Sequence, residues 1–184
     1  MIPIYIKLRI QNQIGVVDMI DNLSLYRNAI QALKNNDIVA FRSISKDLNL
    51  DIADSDGETL LWKAVQWGKI SAVEVLLNAG ANINIPDLEG WTPLHIAVQN
   101  QDVNMVDLLL RFAPEINAQN KYGNTAIWIA VFYAKGRDNI INLLLDSDAD
   151  PYQTNNSGIN AIQLAQLIAN YDNVSIFIRR GFIK

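Results

Sequence analysis

Gly90-Trp91-Thr92-Pro93-Leu94-His95-Ile96-Ala97-Val98 holds a turn, a helix cap and a helix in one short run. Asp87 and Gly90 suit a tight polar turn, and the Thr92 hydroxyl can accept from the free N–H groups of a starting helix. Pro93 fits the first helical turn, because the N–H it lacks would have no partner there. Apolar residues then run through Val98. A second helical stretch follows, in which Val103, Val106, Leu109 and Leu110 fall on one face. Two short helices joined by a turn are therefore expected from residues 87–119.

The same grammar recurs on both sides. Gly57, Gly90 and Gly123 stand 33 residues apart, and Thr59, Thr92 and Thr125 keep the same register. Inside the units Ala64, Ala97 and Ala130 align, then Val65, Val98 and Val131, then the pairs Leu76–Leu77 and Leu109–Leu110. A fixed period of this length signals stacked helical units. The run Thr92–Ala97 resembles the Thr-Pro-Leu-His-x-Ala signature of the ankyrin repeat, whose period is 33 residues. The resemblance implies an all-α solenoid of about five helix–turn–helix units: a cap at 23–53, repeats at 54–86, 87–119 and 120–154, and a terminal cap at 155–184.

Departures from the pattern are informative. Gly158 follows Gly123 by 35 residues, which places two extra residues within 132–139. Gly80 ends the second helix of its unit, where a left-handed residue is needed, but Ala113 and Asp148 stand at the corresponding places. Ala113, followed by Pro114, predicts a different exit from that helix. In the terminal unit Ile162, Leu164, Leu167 and Ile168 are expected to cover the apolar face of the fourth. Residues 1–22 form an extension in which Ile4, Ile6, Leu8 and Ile10 alternate with polar residues. That is the period of a short β-strand, which could fold over the first unit, pair with a partner's sheet edge, or be a leader before Met19.

Composition excludes several functions. The chain has 184 residues, no cysteine, one histidine and a net charge of −4. Thiolate metal sites and disulfides are ruled out, and no His–Cys or His–His pair is available for nucleophilic or metal-assisted chemistry. No catalytic residue, cofactor or metal is expected. His95 is assigned to the framework, as are Trp62 and Trp128, which replace it in neighbouring units. Without a basic stripe nucleic acid is not an expected partner. No apolar run reaches about eighteen residues, so no membrane span is expected. Nothing at the N-terminus reads as a secretion signal, and a cytoplasmic location is the expectation.

Stacked units of this family leave a concave face of turn tips and exposed first-helix positions, which implies a protein partner. The partner-binding candidates are Asp56, Glu58, Trp67, Glu89, Trp91, Tyr122, Asn124, Phe132 and Tyr133, with Gln66, Leu88, Gln99, Asn100 and Lys121 beside them. Large aromatics at such positions are typical binding hot spots. Residues 54–119 hold nine acidic side chains against three basic ones, a net −6 that favours a basic partner. The run 123–173, with its Gly136-Arg137 insertion and its Ile168-Ala169-Asn170-Tyr171-Asp172 ending, resembles short bacterial ankyrin proteins. Several of those look like immunity proteins. That resemblance implies a monomeric, non-enzymatic protein that binds a co-encoded toxin. A scaffold or regulatory ankyrin protein, or an effector that binds a host protein, is the alternative.

Overall fold

The computed structural model describes residues 16–168 and 172–183, with side chains from residue 22 onward. The strand expected near residues 4–10 lies outside them. Ten helices occur among the described residues: α1 (Val16–Lys34), α2 (Ile38–Ile44), α3 (Leu60–Gln66), α4 (Ile70–Asn78), α5 (Pro93–Gln99), α6 (Val103–Leu110), α7 (Ala126–Tyr133), α8 (Asn139–Asp146), α9 (Ala161–Leu167) and α10 (Ser175–Arg179). The described residues contain no sheet, only an isolated bridge between Ala53 and Thr59. Helix α1 runs through the 22/23 boundary read from the sequence, because helical residues continue upstream of Leu23.

The chain falls into two compact units, divided between Leu88 and Glu89. In the first, α1 packs on α2 and α3, while α4 packs on α3 and α2. Its core holds Phe41, Leu60, Leu61, Val73 and Leu76, each fully buried. In the second, α5, α7 and α9 lie side by side, with α6 and α8 behind them. Leu94, Met105, Leu109, Ile127, Ile129, Ile141, Leu144 and Phe177 fill that core. First helices thus neighbour first helices and second helices neighbour second helices. The alanines that keep the period, Ala64, Ala97 and Ala130, are at most 1% exposed. A larger side chain at any of these places would overpack the interior.

The caps follow the sequence grammar. Thr59, Thr92 and Thr125 accept from the N–H groups of Trp62, His95 and Trp128. Asn160 does the same for α9, with Gln163 completing a reciprocal capping box.

The helix exits correct one expectation. Ala113 does not leave its helix by a different route: it adopts φ +48, in the same left-handed region as Gly80 at +90 and Asp148 at +64. At the other two exits the following residue closes the turn, Ala81 N–H donating to Leu76 and Ala149 N–H to Leu144. Pro114 has no N–H to make that bond. The Ala113 exit therefore keeps the left-handed torsion and the Ala113 N–H to Leu110 bond without that second closure. The terminal unit corrects another. Ile162 and Leu164 are buried as expected, but Leu167 is 66% exposed. It falls on the side of Gln163 and Gln166, away from the stripe of Ala161, Ile162, Leu164 and Ala165. Ile176 and Phe177 of α10 are buried in addition. No described helix is long and apolar enough to cross a membrane.

Candidate functional site

The turns between units are built by one side chain each. Asp54 Oδ1 accepts from the N–H groups of Asp56 and Glu58, both at 3.0 Å. Asn120 Oδ1 accepts from Tyr122 and Asn124, and Asn155 Oδ1 from Ser157 and Ile159. Glycines at positive φ stand at Gly57 (+82) and Gly123 (+75) in the first two of these turns and at Gly90 (+79) in the turn between them. A side chain there would also collide with the next turn. A Cβ on Gly90 would lie 2.9 Å from Lys121 N, and one on Gly123 would lie 2.6 Å from Asn156 N. The close approach permits main-chain bonds between successive turns: Leu88 N–H to Asp56 O, Lys121 N–H to Glu89 O, and Asn156 N–H to Tyr122 O. The residues flanking each glycine are consequently held on a fixed backbone.

In the unit ending at Leu88, Asp56 is exposed at its turn tip. Glu58 is half-buried and committed to its own chain, sharing Lys63 Nζ with Asp54, which lies 2.7 Å from it. Burial would depress the Lys63 ammonium, but the carboxylates of Asp54 and Glu58 override that and hold its pKa above 10.5. Burial likewise opposes ionisation of Asp54, yet Lys63 and the N–H groups of Glu58 and Asp56 keep its pKa below 3.8. Beneath this cluster the Tyr26 phenol is pushed up to about 12, chiefly by burial. Trp67 caps α3 and is 37% exposed, with Lys34 Nζ 5.9 Å above its ring.

In the unit beginning at Glu89, the aromatic candidates come from α5, α7 and the turns before them. Tyr122 and Phe132 are each 53% exposed. Phe132 stacks on Trp128 at 5.7 Å and meets Tyr133 edge-on at 5.0 Å. Gln99 Nε2 donates to Tyr133 Oη at 3.4 Å, which fixes the far edge of the cluster. Trp91 is half-buried and meets the His95 ring edge-on. Glu89 pairs with Lys121, whose Nζ also lies 5.2 Å above the Tyr122 ring. Asn124 is half-buried, and its Oδ1 accepts from Asn155 Nδ2 at 2.9 Å, so it ties two turns together.

Trp62, the counterpart of Trp128 in the other unit, is buried at 7% exposure, but Trp128 remains partly open beneath Phe132. The i,i+4 spacing of Trp128 and Phe132 is the signal that places both on one helix face.

His95 is 1% exposed. Its Nδ1 accepts from Thr92 N–H at 3.1 Å, which leaves Nε2 to carry the proton. Burial lowers its pKa to about 4, against the pull of the Asn124 and Ala118 main chain. It stays neutral and structural at neutral pH. Among the described residues no group of three His, Cys, Asp or Glu side chains could hold a metal ion.

Two family profiles match the sequence. One, described as ankyrin repeats (3 copies), covers residues 79–155. The other, described as ankyrin repeats (many copies), covers residues 44–97. They overlap and together span 44–155, more than half of the chain. No curated protein compared with the chain matches it.

Proposed function

This chain belongs to the ankyrin-repeat family, and from that premise we propose that it is the immunity partner of a toxin encoded beside it in a bacterium. An ankyrin-repeat domain is a protein-interaction module of a generally non-catalytic family. The observation that carries the binding surface is the Trp128–Phe132–Tyr133 cluster, an interlocked set of rings with Phe132 half in solvent. Rigid aromatic area of this kind is available to a partner at low entropic cost. Tyr122 at the preceding turn and Trp91 beside His95 extend the set.

The toxin reading rests on the likeness of residues 123–173 to short immunity-type ankyrin proteins. Its Gly136-Arg137 insertion lies in the α7–α8 loop, where Lys135 and Gly136 both take positive φ and Gly136 N–H donates to Asn173 Oδ1 at 3.3 Å. A basic toxin suits the net charge of −4. On this reading the protein is a monomer that acts in the cytoplasm by direct, non-catalytic binding.

The test is to express the neighbouring gene product with and without this chain, and to score survival and co-purification. Lethality relieved by a stable complex is the expected result. A neighbour that is harmless alone, or lethal in the presence of the folded protein, refutes the toxin partner.

A further inference from the structure

At the turn of the unit beginning at Glu89, a carboxylate and an aromatic face flank one cation. Glu89 and Lys121 form an ion pair in which both side chains are about half exposed, 50% and 45%. The same ammonium sits 5.2 Å above the Tyr122 ring, itself 53% exposed. The frame does not depend on this ion pair. Lys121 N–H donates to Glu89 O at 2.9 Å, Asn156 N–H to Tyr122 O at 3.0 Å, and Tyr122 N–H to Asn120 Oδ1 at 3.0 Å. Removing the lysine side chain would therefore leave the backbone that carries the carboxylate and the ring in place.

We propose that Glu89 and Tyr122 form a receptor for an arginine side chain of the protein partner, and that Lys121 is a resident cation which that arginine displaces. The proposal deepens the reading above, because it presumes a basic protein partner. Lys121 is tethered to the site, so another ammonium gains nothing by replacing it. A guanidinium does gain: it can pair with the carboxylate through two parallel N–H bonds and lie flat on the ring, which an ammonium cannot. The resident lysine thus makes the site selective for arginine over lysine. Because an exposed ion pair is weak, the gate is a shallow one, and a partner opens it at small cost.

The full chain is titrated with acetyl-Gly-Arg-Gly-Arg-Gly-amide and with its lysine counterpart, while the Tyr122 ring resonances are followed by NMR. The arginine peptide should shift them and the lysine peptide should not. In Lys121→Met the arginine peptide should bind about three- to fivefold more tightly, the factor expected on removing one exposed competing pair, and the lysine peptide should begin to bind. Glu89→Gln should abolish both responses. Equal response to the two peptides in the wild type, no response to either, unchanged affinity in Lys121→Met, or an intact response in Glu89→Gln overturns the proposal. Circular dichroism checks that each variant is folded. No toxin enters this measurement, so failure here leaves the survival assay standing, and failure there leaves this site standing.

Discussion

Ala113→Gly is expected to stabilise the protein although it removes atoms and adds no contact. Ala113 sits at φ +48. For an L-residue that region costs roughly 1–2 kcal/mol, because Cβ crowds the following carbonyl. Glycine escapes this penalty but has a more disordered unfolded chain, which returns about 0.5–1 kcal/mol. The Ala113 side chain is exposed, so no buried methyl is lost. Pro114 is common to both proteins and cancels. The net gain is about 0.5–1 kcal/mol, a rise of about 0.3–0.5 M in the urea midpoint at the slope expected for a domain of this size. Far-ultraviolet circular dichroism and tryptophan fluorescence should report the shift together. Gly80→Ala is the mirror experiment. A Cβ built on Gly80, at φ +90, meets nothing within 4 Å, so its cost is purely torsional and the midpoint should fall by a similar amount. A midpoint that is unchanged or lower in Ala113→Gly would refute the left-handed helix exit.

Stability should respond to pH at both ends through Lys63. The folded-state pKa of Asp54 lies below 3.8, so its contribution is complete above that value and is lost as pH falls through the folded pKa. Lys63 is raised above 10.5, so its contribution is complete below that value and is lost as pH rises through the folded pKa. The difference in urea midpoint between wild type and Lys63→Met should accordingly be widest between these limits and shrink outside them; a difference independent of pH counts against the cluster. Deleting residues 155–184 strips Ile162, Leu164, Ile176 and Phe177 from the core and α9 from α7. Soluble, monomeric 1–154 with an undiminished cooperative transition would contradict this. Phe132→Ala should accelerate dissociation from the proposed toxin partner by about thirtyfold, roughly 2 kcal/mol for a true hot spot, with little change in folding stability. Asp56→Lys should instead slow association and flatten its salt dependence in a stopped-flow measurement, whereas equal effects on both rates would argue against steering.

Much of the architecture was legible in the sequence because it is local. The threonine caps, the turn glycines and the apolar stripes act within a few residues of themselves, and their period of 33 announces that the units stack. Even the two extra residues could be placed, since Val131 keeps register and Leu144 does not; they fall in the loop between α7 and α8. The binding candidates were legible only as positions. Sequence registered Glu58 and Glu89 as acidic tips, Asn124 as a contact and Trp128 as framework. Which groups they touch within the chain depends on what the neighbouring turn or helix brings alongside.

The sequence by itself determined that this is a helical repeat, where the helices capped by Thr59, Thr92 and Thr125 start, and which turns demand glycine, because capping and backbone sterics are short-range. Only the tertiary structure decided which charges and rings are already engaged. Lys34 reaches the Trp67 ring, Lys121 reaches Glu89, and Asn155 reaches Asn124, each about one repeat away along the chain. Such pairs exist only once adjacent repeats are stacked in register. The structure likewise decided that Ala113 leaves its helix at φ +48, a torsion that its own residue type disfavours.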